Sequence, residues 1–259
     1  MLLFVRKQLS LCRFFKDKYI MNEFAYNRDY TVEGYDRDQT AVAENTLFKN
    51  VYWWMCGALV ITGLTSYYVA TNFSIQEFVF GSRFVFYGLV IAEFALVIGL
   101  TAAINKISAM TATLMFLLYS LINGATLASI FLIYELGSIA TTFFVTAGTF
   151  GAMAIYGTTT KRDLTRMGSI LVMALIGLII ATVVNIFLKN GMMDLIISAI
   201  GVVIFVGLTA YDAQKIRAMF YGAEVNDTTQ KLAVLGALTL YLDFVNLFLY
   251  LLRFMGRRK

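Results

Sequence analysis

The stretch Leu232-Ala-Val-Leu-Gly-Ala-Leu-Thr-Leu-Tyr-Leu-Asp243-Phe-Val-Asn246-Leu-Phe-Leu-Tyr-Leu-Leu-Arg253-Phe254 decides the fold. Between Leu232 and Leu252 it carries one charge, Asp243, near its middle. A helix of about 20 residues at about 1.5 Å per residue crosses the roughly 30 Å hydrocarbon core of a bilayer. Six more neutral stretches of this kind precede it, near 51–71, 84–105, 107–134, 138–159, 168–188 and 195–216. Only helices and closed barrels satisfy their backbone in lipid, and the apolar residues here run continuously instead of alternating, which excludes an outer-membrane barrel. The expected fold is an all-α, polytopic membrane protein with a seven-transmembrane-helix bundle over 51–259. The connections at Asn105–Lys106, Glu135–Gly137 and Lys189–Asp194 are short, so neighbouring helices should pair antiparallel, with no room for a second soluble domain.

Composition agrees. The 259 residues are 59% hydrophobic and 14% charged, with a mean hydropathy of +0.74, whereas soluble domains hold about 45–50% apolar and about 25% charged residues. The chain has no histidine, which removes a Ser-His-Asp triad, a His/Cys zinc site and a His-ligated haem. Its two cysteines, Cys12 and Cys56, fit no metal-ligand spacing and no disulfide framework. No phosphate-binding glycine loop or nucleic-acid signature is present. No catalytic residue, no enzymatic activity and no cofactor are expected, and nucleic acid is not an expected partner.

The first fifty residues differ in character and form an N-terminal tail. Residues 1–20 carry Arg6, Lys7, Arg13, Lys16 and Lys18 against Asp17, and the balance turns acidic after Met21. Met21 is the preferred start, with an amphipathic basic targeting segment as the alternative. Residues 22–46, poor in aliphatics, are expected to be mobile. With a cytoplasmic N-terminus the inside loops hold Lys106, Lys161, Arg162, Arg166, Lys215, Arg217 and Lys231, against Arg83 and Lys189 outside. Arg253, Arg257, Arg258 and Lys259 then fall outside, against the rule.

Small residues and aromatics carry packing information. Gly148, Gly151 and Gly157 suggest close helix approach, and Trp53, Trp54, Tyr67 and Tyr68 suggest interfacial belts. Charges inside spans cost about 2.5–3.5 kcal/mol at a helix centre on insertion scales, so each needs a partner or a role. Asp243, Asp212 and Glu93 qualify, with Lys106 at the inside end of the second span. The structural alternatives are a helix-end charge paired with Lys215 for Asp212, and a hydrogen bond to Tyr241 or Asn246 for Asp243. Brought together in the interior, the two aspartates could not both ionise cheaply and would share a proton, a pH-sensitive latch near neutrality. Calcium wants six to eight oxygens, so Asp212, Asp243 and Glu93 cannot close a tight cage, but they can offer weak contacts along a path. An intramembrane aspartyl protease is disfavoured, because Tyr211-Asp212 supplies half of its signature and Asp243 has no neighbouring glycine.

The strings Gly207-Leu-Thr-Ala-Tyr-Asp212-Ala-Gln-Lys-Ile216 and Tyr241-Leu-Asp243-Phe-Val-Asn246-Leu-Phe, with Glu93 and Tyr119-Ser-Leu-Ile-Asn-Gly124, resemble the Bax inhibitor-1 family, also called the transmembrane Bax inhibitor motif family, in its bacterial form. The resemblance covers about residues 45–255. It implies a seven-helix bundle with the last helix central, acting as a pH-sensitive calcium leak channel in the bacterial plasma membrane. It implies that Asp212 and Asp243 form the pH sensor, with Glu93 and Asn246 as pore-lining candidates. The family's basic residue after the second span, commonly arginine, matches Lys106 here, which implies a weaker closed-state lock because lysine lacks the guanidinium fork. Some bacterial relatives resemble regulators of a membrane-bound AAA protease, which makes such a protease a candidate partner alongside the lipid bilayer and calcium ions.

Overall fold

The computed structural model describes residues 37–259, with side chains from residue 42. The basic segment 1–20, the Met21 start and the chain up to residue 36 lie outside the described residues. The described chain is almost entirely helical: α1 (Arg37–Thr71), α2 (Phe73–Gly81), α3 (Arg83–Ala103), α4 (Ala109–Leu127), α5 (Ser129–Ile133), α6 (Leu136–Thr159), α7 (Thr165–Leu188), α8 (Gly191–Met219) and α9 (Asp227–Met255).

The chain has no proline, and side-chain caps mark four of the helix starts. Asn72, Ser108 and Asn190 accept backbone N–H bonds at the starts of α2, α4 and α8, and Asn226 and Thr229 form a reciprocal capping box on α9. α7 ends through Lys189 in the left-handed region, φ 50°, its N–H bonded to the Asn185 carbonyl.

Six helical segments among the described residues are long and apolar enough to cross a membrane: α3, α4 with α5, α6, α7, α8 and α9. The protein is thus a multi-pass helical membrane protein, but the expected count of seven is not met on these terms. The difference lies in α1, which contains 51–71 but mixes Thr62, Thr65, Ser66, Tyr67 and Tyr68 into its apolar residues. α1 also begins well before residue 51, so the expected tail is helical from Arg37. Leu47 and Val51, one turn apart, are both fully buried in the core. The expected span 107–134 breaks at Ala128 into α4 and α5.

The bundle is built around α9. Of its most apolar 18-residue window 83% is buried, against 22–50% for the other five candidate spans. α8, α1, α6 and α4 pack against it. Glycines let the layers approach. A Cβ at Gly124 would lie 2.7 Å from the Thr62 carbonyl oxygen, and one at Gly157 would strike the Ala210 backbone. Gly148 and Gly151 have open space instead, so of the three glycines in α6 singled out for packing, Gly157 alone does that work.

Polar contacts gather at the two ends. At the first end Ala109 N–H donates to Asp227 at 3.1 Å, Gly222 N–H to Glu44, Leu164 N–H to Gln214, and Arg217 to the Thr158 carbonyl. At the second end the chain terminus pairs with the α5–α6 connection. Glu135 N–H donates to the Arg257 carbonyl, Lys259 N–H to the Ile133 carbonyl, and Lys259 Nζ to the Phe131 carbonyl. Arg253 meets Asp194 there at 3.4 Å.

Candidate functional site

Every acid singled out in the spans is inside the protein. Glu93 on α3 is 2% exposed, Asp212 on α8 is 1% and Asp243 on α9 is 0%. α8 and α9 are the most extensively packed helix pair, so both aspartates sit within one shared interior. Asp212 lies seven residues before the C-terminal end of α8, near the first end of the bundle, while Asp243 is central in α9. Among the described residues no three Cys, Asp or Glu side chains cluster tightly enough to hold a metal ion. The three buried acids do not form a cage.

Glu93 is held from α4. The Thr126 hydroxyl donates to its Oε1 at 2.6 Å, and Glu93 lies within electrostatic reach of Tyr241. The Tyr241 hydroxyl is the junction of the polar interior. It shares a 2.7 Å hydrogen bond with the Thr62 hydroxyl of α1 and accepts one of 2.6 Å from Asn123 Nδ2 of α4. The single Thr62 hydroxyl proton is shared between the carbonyls of Ala58 and Ser120, both 2.9 Å away, and Ser66 donates to the Gly124 carbonyl at 2.6 Å. The rings of Phe116 and Tyr119 meet Tyr241 edge-on at 5.7 and 5.9 Å. α1, α4 and α9 are thereby locked at one point beside the site. In the sequence Tyr241 stands out only as a partner for Asp243 and Asn123 only within the string Tyr119-Ser-Leu-Ile-Asn-Gly124, while Thr62 and Thr126 carry no signal against the apolar background.

Asn246 is fully buried one turn beyond Asp243, and neither of its amide atoms has a hydrogen-bond partner. An Asp243–Asn246 hydrogen bond, one of the structural alternatives, is therefore not made. Lys106 lies elsewhere. It is exposed in the turn after α3 and forms no ion pair with a described residue, so the structure does not bring it to the aspartates. Lys215, one turn past Asp212, is half-buried with its ammonium 6.0 Å from the Tyr211 ring centroid. Outside the spans, the Asp163 carboxyl is held below its usual range because it accepts hydrogen bonds from Thr165, including the N–H at 2.8 Å.

The arrangement is one of buried carboxylates, amides and hydroxyls threaded through an otherwise apolar bundle, and comparison with known proteins places it in a family. Residues 44–259 match the family described as inhibitor of apoptosis-promoting Bax1. The chain is 50% identical over 216 residues to the inner membrane protein YbhL of Escherichia coli K12, covering 83% of this chain and 92% of that protein. It is 46% identical over 224 residues to an uncharacterised protein of Borreliella burgdorferi, covering 85% and 96%. A third relative, an uncharacterised protein of Rickettsia prowazekii, is 40% identical over 235 residues, covering 87% and 98%. With a family match over most of its length and relatives that align nearly end to end, the chain belongs to the Bax inhibitor-1 family.

Proposed function

We propose that the bundle is a pH-sensitive calcium leak channel of the bacterial plasma membrane. Asp212 and Asp243 act as its proton-operated latch, and Glu93 and Asn246 line the route. The observation that carries this reading is the burial of three carboxylates in a membrane bundle, two of them on the interlocked pair α8 and α9. Intramembrane acids are costly and face either a partner or an aqueous path. Buried carboxylates that do not close a cage suit a hard cation that must bind weakly enough to leave. Two acids in one low-dielectric interior respond to the addition of a proton, which is what a pH-operated gate requires.

In this reading α1 is the seventh span and its start is cytoplasmic. Lys106, Lys161, Arg162, Arg166, Lys215, Arg217 and Lys231 then share the inner end. Two of the four terminal cations that oppose the rule are engaged by the fold: Arg253 with Asp194, and Lys259 with the Phe131 carbonyl. The latch is built from the two aspartates, with Lys106 acting from the water side.

The test is calcium entry into indicator-loaded liposomes carrying the purified protein, from about pH 6 to 8. Entry above that of protein-free liposomes is expected. Its absence at every pH, with protein that still melts cooperatively, would contradict the channel and favour a regulator of a membrane-bound AAA protease.

A further inference from the structure

Beyond Asp243 the same face of α9 carries polar groups that run to the second end of the bundle. Asn246 comes first, with both amide atoms unsatisfied, and then Tyr250, fully buried, whose hydroxyl lies toward Thr182 of α7 without a well-formed hydrogen bond. Arg253 follows, its side chain 4% exposed, its guanidinium 5.7 Å from the Tyr250 ring centroid and 3.4 Å from Asp194 Oδ1. At about 100° per residue these four positions fall within an arc of roughly 80°, and they climb about 15 Å along the helix.

The facing wall is α8. Gly201 leaves the space that the Tyr250 ring fills, since a Cβ there would lie 2.5 Å from it, and Phe205 stacks on the same ring at 5.7 Å. Asp194, in the first turn of α8, reaches back to Arg253 with its own side chain 24% exposed. Buried amides and hydroxyls in folded proteins are as a rule satisfied by protein or by water. A row of such groups that ends at an ion pair in contact with solvent describes a hydrated column with a closed mouth.

We propose that the Asp194–Arg253 ion pair is an outer gate, closing a hydrated polar column that runs from Asp243 through Asn246 and Tyr250 to the second end of the bundle. When the pair parts, water and a small cation reach Asn246. The ionic part of this inference rests on the channel reading, whereas the access of water does not.

The experiment uses the full chain in liposomes, with Cys12 and Cys56 replaced by alanine and Asn246→Cys as reporter. Labelling by a membrane-impermeant cationic thiol reagent is followed alongside calcium entry. With the pair intact, labelling is slow. Asp194→Asn and Arg253→Gln each accelerate it by about tenfold, as expected for a shift in the open population. The exchanged pair Asp194→Arg with Arg253→Asp returns the rate towards the starting value. Arg253→Gln is the cleaner single change, because it leaves no uncompensated cation inside. Ser198→Cys, buried one turn beyond Asp194, replaces the reporter if the Asn246 variant melts early. Equal slow rates in the single variants and the intact pair would overturn the gate. Faster labelling without calcium entry in any variant, nor in the protein that keeps Asn246, would sustain the column and defeat the channel. Calcium entry in the intact protein with unchanged labelling would sustain the channel and defeat the outer gate.

Discussion

The Thr126 hydroxyl on α4 donates a 2.6 Å hydrogen bond to the Glu93 carboxylate on α3, and both side chains are buried. This bond gives an intramembrane carboxylate a partner and ties together two neighbouring spans. Thr126→Val keeps the shape, removes the donor and leaves an acid under-satisfied, which should cost about 1–3 kcal/mol. Thr126→Ser should recover most of that. Thermal unfolding in detergent distinguishes them, and equal melting of the valine and wild-type proteins would show that the bond is idle.

Tyr241 joins three helices through one hydroxyl. Tyr241→Phe strands the buried Asn123 amide and frees the Thr62 hydroxyl, for an expected loss of about 1–3 kcal/mol with the ring packing retained. Because Glu93 lies within electrostatic reach of the same residue, the variant should also alter calcium entry. A protein of unchanged stability would contradict the assignment of Tyr241 as the junction.

Alanine at glycine separates close approach from ordinary helix. Gly157→Ala forces a Cβ into the Ala210 backbone, so it should destabilise by about 1–3 kcal/mol despite the better helix propensity of alanine. Gly148→Ala, in open space on the same helix, should be neutral or stabilising by up to about 1 kcal/mol. Parallel melting curves that rank the two the other way would refute the packing of α6 against α8.

The spans were legible because neutral runs of membrane length stand out in any reading of charge. Glu93 and Asp243 were legible for the same reason, each a lone charge in an apolar setting, and Asp212 because it is the first charge after the long neutral run from Leu195. The break at Ala128 was not, because neither proline nor glycine marks it. The N-terminal half of α1 read as tail because its charged residues mask the spacing of Leu47 and Val51, which only packing against the core makes visible. The Tyr241 junction was hidden for another reason. Hydroxyls and amides are common in such helices, and these partners lie 118 and 179 residues apart in sequence. Lys106 was placed by its position after the second span, but the turn carries its side chain into solvent.

The Asp163 carboxylate stabilises the start of α7 through Thr165, and hydrogen bonding holds its pKa below the usual aspartate range. With a folded value below the unfolded one, its contribution is complete above the unfolded pKa and fades as pH falls through the folded value. Asp163→Ala should therefore melt slightly below wild type at neutral pH, with the gap closing in acid. A gap that persists unchanged to about pH 3 would show that the side chain acts by something other than its charge-assisted bonds.

The central claim is that Asp212 and Asp243 gate the bundle by protonation, and the direct measurement is the pH profile of calcium entry for wild type, Asp212→Asn and Asp243→Asn in the same liposomes, each checked for cooperative melting. The account predicts entry that changes across about pH 6 to 8 in the wild type and a profile that is flat in both variants. A wild-type profile that survives either substitution intact would contradict it.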